Sequence, residues 1–224
     1  MACDTAHVLK GHKRAVMSVA ISKDDKFMVS GSGDTTVRIW DTAMGELLRE
    51  LKGHSDTVKA VVVSPGCQHI ASGSYRELRT WKTDGHFERD LVPLAINWVT
   101  GLAYSHDGQR VVSCNNYSTV WNTAGRCLPG PDDTIRNISS IAYAPDEREI
   151  ISGHKDRAVI MWNTDTNKTH RLDGFLGALT SVAVSFDGSC IASGSNDKAA
   201  IICDTKFRET KDEKLSQEPL RFVG

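Results

Sequence analysis

The stretch SGSGDTTVRIWD, Ser30 to Asp41, decides the fold. It sets a Ser/Gly/Asp turn in front of an alternating run that ends Ile39-Trp40-Asp41. Alternation of this length marks a β-strand with two unlike faces, and Gly and Asp mark the turn that feeds it. Gly11 and His12 stand a little upstream. Serine, histidine and aspartate are also the raw material of nucleophilic catalysis. The stretch is therefore either a reaction site or the corner of a sheet.

The same ending returns downstream. Trp40, Trp81, Trp121 and Trp162 each close an alternating run, at spacings of 41, 40 and 41 residues. One further step of 41 reaches Cys203 in AIICDT, where Asp204 keeps the following place. In phase with them run VSGSGD at 29, ASGSYR at 71, VSCNNY at 112, ISGHKD at 151 and ASGSND at 192. A turn precedes each: SKDDKF, SPGCQH, SHDGQR, APDERE and SFDGSC. Three markers sharing one period over five copies identify a repeat architecture.

Within a copy, VMSVAIS, FMVSGS, TVRIWD and LLRELK are four short runs bounded by turn residues. Asp-Gly at 107–108 and 187–188 suits tight hairpins. Each period is thus expected to be a four-stranded antiparallel sheet. Such a sheet cannot cover both of its faces, whereas sheets stacked radially cover one another. The expected fold is an all-β propeller of five visible blades, at about 11–52, 53–93, 94–132, 133–173 and 174–204.

Gly11-His12 with Trp40-Asp41, and Gly53-His54 with Trp81, resemble the GH…WD pattern of the WD40 repeat family. The resemblance covers about residues 6 to 204. It implies a buried hydrogen-bonded set of His12, Ser30 (or Ser32), Asp34 and Trp40. Buried polar groups are tolerable when each finds a partner. The set then decays piecemeal. The second repeat keeps His54, Ser72 and Trp81, with Arg76 and Glu77 around the aspartate place in a loop one residue shorter. The third has Ser113 and Trp121 but asparagines at 115 and 116 and no histidine. The fourth has Ser152, Asp156 and Trp162 with Thr134 at the histidine place, and the fifth has Ser193 and Asp197 with Phe175 and Cys203. A set complete only in the first repeat behaves as a packing device, and the third and fifth blades are expected to be the softest.

Composition narrows the function. Twenty-seven Lys and Arg against 28 Asp and Glu give no electrostatic reason to expect nucleic acid or an anionic membrane. No apolar run approaches the roughly 20 residues of a spanning helix, and the start has the character of neither a secretory signal nor a transit peptide. The six cysteines are scattered without a CxxC pair, as in a reduced cytoplasmic or nuclear protein. No nucleotide, zinc or hydrolase motif occurs, so neither a cofactor, a metal nor a catalytic residue is expected.

Function is then expected at a surface. The resemblance implies that the loops entering each first strand and joining the second and third strands meet on one face. They carry Arg14, Tyr75, Arg76, Trp98, Tyr117, Arg136 and Lys155 as candidate partner contacts. Trp98 has a second reading, packing between blades. The leading expectation is a non-catalytic scaffold for a protein or peptide. The alternatives are a nuclear reader of histone tails or a ribonucleoprotein component, and a propeller-type hydrolase with carboxylates in the channel.

The ends leave the blade count open. Residues 1–10 hold a candidate closing strand, since HVLKGH at 7 is similar to RELKGH at 49. The charged stretch from 205 leads to a second candidate, LRFVG at 220–224. Either five blades close a ring, or the chain is part of a larger array whose bare blade faces invite self-association.

Overall fold

The computed structural model of the chain describes residues 7–91, 98–114, 118–128, 137–146 and 148–205, together with the backbone of a strand at 220–223. Its elements form five antiparallel four-stranded sheets, each built from strands consecutive in the chain. The first holds β1 (Val16–Ile21), β2 (Phe27–Ser32), β3 (Val37–Asp41) and β4 (Leu47–Leu51). The second holds β5 (Ala60–Val63), β6 (His69–Gly73), β7 (Leu78–Lys82) and β8 (Phe87–Leu91). The third holds β9 (Gly101–Tyr104), β10 (Arg110–Cys114), β11 (Ser118–Asn122) and the short β12 (Cys127–Leu128). The fourth holds β13 (Ile138–Tyr143), β14 (Glu149–His154), β15 (Val159–Asn163) and β16 (Lys168–Leu172). The fifth holds β17 (Leu179–Val184), β18 (Cys190–Ser195), β19 (Ala199–Asp204) and β20 (Leu220–Val223). These are the blades of a propeller.

Each blade has a leading face towards the preceding sheet and a trailing face towards the next. At the first joint, trailing Val29, Val37 and Ile39 pack on leading Val61, Ile70 and Trp81. At the second, Ala71 and Leu78 meet Tyr104, Val111 and Trp121. At the fourth, Ile151, Val159 and Met161 meet Leu179, Val182 and Ile191. Stacking therefore turns both faces of the inner sheets into core, each large aliphatic side chain gaining about 1.5–3 kcal/mol. Polar stitches fix the register of the joints. The Val58 and Val99 amides donate to Ser32 O and Ser74 O at 3.0 Å. The Val61 and Val182 amides donate to the Ser18 and Ser140 hydroxyls at 3.2 Å.

The glycine of the recurring Ser-Gly motif follows from this packing. A Cβ at Gly31 would lie 2.7 Å from Val58 Cγ1, and one at Gly153 would lie 2.7 Å from Val182 Cγ1. At Gly194, on the fifth sheet, the nearest atom would be Ser181 Oγ at 3.1 Å, with no neighbouring blade in reach.

The two end faces are bare. Val19 and Ile21 on the leading face of the first sheet are 58% and 62% exposed, whereas Val61 and Val182 at the corresponding register are 6% and 9% exposed. On the trailing face of the fifth sheet Ala192 and Ala200 are exposed and Ile202 is 39% exposed, against 0% at Val29 and 2% at Ile39. The first and fifth sheets do not cover one another, so of the two forms left open by the sequence these faces make an open arc.

Of the closing strand expected at residues 1–10, residues 1–6 lie outside the described residues. Residues 7–10 join no ladder, and the fourth place of the fifth sheet is held by β20, with Ile202 opposite Leu220. His7 Nε2 instead lies 2.8 Å from Ala43 O in the β3–β4 turn. Arg49 on β4 meets the next blade's turn in the same way, Nε to Asp84 O at 3.2 Å. Residues 7–10 thus follow the path of a fourth strand that belongs ahead of the first sheet.

Gly153→Ala is expected to destabilise the chain by about 1–3 kcal/mol through overpacking of the joint. Gly194→Ala should stay within about 0.5 kcal/mol of the parent, as at a surface site. Urea midpoints of the two variants, taken at a protein concentration where the chain is monomeric, check this, and equal losses would contradict an uncovered fifth sheet.

Candidate functional site

The Ser, His and Asp that raised the catalytic question do come together. The loop before β1 carries His12, β2 carries Ser30, the β2–β3 turn carries Asp34 and β3 carries Trp40. Trp40 Nε1 donates to Ser30 Oγ at 2.7 Å, Ser30 Oγ lies 2.8 Å from His12 Nε2, and His12 Nδ1 lies 2.9 Å from Asp34 Oδ2. With the imidazole proton on Nδ1, every donor faces an acceptor: indole to hydroxyl, hydroxyl to imidazole, imidazole to carboxylate. Asp34 also accepts from the Lys13 amide at 2.8 Å and the Thr36 hydroxyl at 2.7 Å, which closes the turn. Burial pushes the Asp34 carboxyl up, and bonds from Lys13, Thr36 and His12 outweigh it, holding the group far below the usual carboxylate range.

This wiring is that of a hydrolytic triad, but its hydroxyl is not available. Ser30 is 2% exposed, and the indole N–H of Trp40 caps the oxygen that would have to attack. Nucleophilic catalysis needs that oxygen within reach of a substrate carbon. Here it is a hinge pin between strands.

The second blade repeats the chain with a different carboxylate. Trp81 Nε1 donates to Ser72 Oγ at 2.8 Å, Ser72 Oγ lies 2.7 Å from His54 Nε2, and His54 Nδ1 lies 2.7 Å from Glu77 Oε2. Glu77 also takes the Ser55 amide and hydroxyl. The longer glutamate makes up for the turn's missing residue, so the set is complete in two repeats rather than one. Burial foremost holds His54 below its usual 6.5, against the pull of Glu77. Burial raises Glu77, but the bonds from His54 and Ser55 leave it lowered.

The other repeats are wired differently from the sequence pattern. In the fourth, Asp156 turns outward to Arg171 at 3.1 Å. His154, on β14 itself, lies 2.8 Å from Ser152 Oγ, and Trp162 Nε1 donates to Asn167 Oδ1 at 3.0 Å. In the third, Trp121 Nε1 reaches Ser113 Oγ at 3.3 Å and Ser113 leans on Thr119 O. In the fifth, Phe175 is buried in the histidine place and packs with Leu179, Ile191 and half-buried Cys203. The imidazole and the indole are both replaced there, while Ser193 stays buried on β18. Thr134 lies outside the described residues.

The loop face gathers part of the candidate contacts. Tyr75, in the β6–β7 turn, and Trp98, ahead of β9, form an antiparallel bridge with ring centroids 5.3 Å apart. Lys59 Nζ sits 4.0 Å from the Trp98 ring centroid, a cation–π contact that sequence reading did not offer. Trp98 is half-buried at the joint of the second and third blades, where it packs on Tyr75. Arg76 is exposed beside Tyr75, and Arg14 and Lys155 are exposed on the first and fourth blades, apart from that cluster. Tyr117 and Arg136 lie outside the described residues. Among the described residues no His/Cys/Asp/Glu group is arranged to hold a metal, and no helix is long and apolar enough to cross a membrane.

Two outcomes follow from the wiring. Ser72→Ala strands the Trp81 N–H and His54 Nε2, and should cost about 1–3 kcal/mol per orphaned group, more than Ser113→Ala does. The pH dependence has one sign throughout. His54, Glu77 and Asp34 are all lowered on folding, so the unfolded chain binds more protons and stability falls with acid. The loss begins as pH drops below about 6.5 for His54 and below about 4.5 for Glu77. Thermal melts from pH 7.5 to 4 check it, and His54→Gln should flatten the part that begins near 6.5.

Comparison with known proteins agrees with this architecture. The family described as WD domain, G-beta repeat, matches residues 3–41, 45–82, 124–163 and 166–204. The longest stretch between these segments, 83–123, holds most of the third blade. The chain is 30% identical to apoptotic protease-activating factor 1 of Rattus norvegicus over 63% of its length, covering 12% of that protein. It is 24% identical to anaphase-promoting complex subunit cdc20 of Dictyostelium discoideum over 67% of its length, covering 32% of that protein. It is 24% identical to the COMPASS component SWD3 of Saccharomyces cerevisiae over 76% of its length, covering 62% of that protein. The chain thus spans less than two thirds of each relative. It belongs to the WD40 repeat family.

Proposed function

We propose that this WD40 repeat protein is a non-catalytic scaffold that holds a protein or peptide partner on the loop face carrying Tyr75 and Trp98. The observation that carries the reading is the cluster of Tyr75, Trp98 and Lys59 at the joint of the second and third blades. Aromatic side chains beside cations are the groups that most often anchor interfaces, and a bridge between two sheets keeps them rigid, which lowers the ordering cost.

The rim around this cluster supports it. Arg76, Arg157 and Lys198 stand at equivalent turn tips with positive φ of 61°, 70° and 67°, all exposed. A non-glycine residue in that region is strained by about 1–3 kcal/mol, and such strain gathers at functional sites. Exposed cations spaced around one face suit a partner with acidic side chains and speed its encounter. Two relatives are named as members of assemblies, the anaphase-promoting complex subunit and the COMPASS component, which favours a scaffold. The described cysteines, Cys67, Cys114, Cys127, Cys190 and Cys203, are free thiols, which suits a cytoplasmic or nuclear setting.

Proximity labelling with the full chain, followed by calorimetric titration of the captured partner, tests the reading. The double variant Tyr75→Ala/Arg76→Ala should bind about tenfold or more weakly, as loss of a hot spot does, with its melting temperature little changed. Undiminished affinity would place the contact elsewhere.

A further inference from the structure

We propose that a second copy of this chain docks on the bare ends of the arc, with the leading face of its first sheet on the trailing face of the other copy's fifth. The argument rests on repeated geometry. Leading positions equivalent to Val19 and Met28 are Val61 and Ile70 in the second blade and Val182 and Ile191 in the fifth, and all four are buried against a preceding blade. Only in the first blade is this surface open, with Val19 58% exposed and Ile21 62% exposed. An inner strand that exposes such side chains is an unfinished joint rather than an ordinary surface.

The polar half of the joint is present as well. At two internal joints a serine opposite the Ser-Gly glycine accepts the next blade's inner-strand amide: Ser18 from Val61 and Ser140 from Val182. The fifth blade keeps that serine as Ser181, opposite Gly194 and exposed. The first blade keeps the matching amide at Val19. One end of the chain therefore carries the acceptor and the other the donor of the same contact. Ala183, Ala192, Ala200 and Ile202 around Ser181 are exposed, and the three alanines leave room for the branched side chains of the incoming face.

The N-terminal segment fits the same scheme. Residues 7–10 run where the fourth strand of a preceding sheet would run. In the joined pair they reach the outer edge of β19, which β20 now holds. Two strands cannot share one edge, so β20 is displaced by the incoming segment. The contact is head-to-tail, and it propagates unless an end is blocked.

That asymmetry gives the test. Val19→Asp blocks the leading face and Ala192→Asp the trailing face, both at exposed positions where the fold survives, which circular dichroism confirms. By light scattering after size exclusion, the parent chain should exceed the monomer mass in proportion to concentration, and each variant alone should be monomeric. Mixed, the two variants should form a one-to-one pair of twice the monomer mass, because one intact face of each kind remains. Arg221→Pro, which breaks the β19–β20 ladder, should bring association on at lower concentration.

A parent chain that stays monomeric overturns the proposal and leaves the end faces to blades from another protein. A Val19→Asp variant that still self-associates overturns it also. So does a mixture that stays monomeric, which would show that parental association was unspecific, or an Arg221→Pro variant that associates less readily.

Discussion

A twisted four-stranded sheet with apolar side chains on both faces needs a neighbour on each side, and every other feature of this protein follows from how that need is met. Where two blades meet, a trailing face of valine and isoleucine receives a leading face of valine, isoleucine and tryptophan. The contact is close enough that Gly31 and Gly153 have no space for a Cβ. Four joints are satisfied within the chain. At the two ends the requirement is unmet, and exposed Val19, Ile21 and Ile202 record it.

The hydrogen-bond chains of the first two blades answer to the same constraint. They tie an entering loop, a second strand, a turn and a third strand of one blade together. Their order of donors and acceptors matches a hydrolytic triad because both solve one problem, a serine and a carboxylate held by one imidazole. Access separates the two. Burying Ser30 beneath Trp40 converts a reactive arrangement into a rigid one, and rigidity there sets the positions of the loops beyond. Those loops bring Tyr75 of one blade onto Trp98 of the next, so this aromatic cluster is built at a joint and inherits its stiffness.

Much of this was legible in the residues themselves. The period of about 41, the turns and the strand alternation are local properties, written within a dozen residues at a time, and they yielded five sheets of four strands. The network of His12, Ser30, Asp34 and Trp40 could be named because its loop lengths follow the family's spacing. Substitutes that do not align were out of reach. Glu77 serves for an aspartate only because its longer side chain spans a shorter turn. His154 meets Ser152 from the same strand, two positions away, where no motif places it.

The sequence by itself therefore determined the fold class, the repeat and the identity of the blade surfaces, because these depend on near neighbours in the chain. The tertiary structure alone decided which surfaces are covered. It set Lys59 over Trp98, gave the fifth sheet's edge to β20 and left the first and fifth faces apart. Those outcomes depend on contacts between residues far apart in sequence. A repeat that is locally nearly the same in every copy carries no signal of whether it has a neighbour.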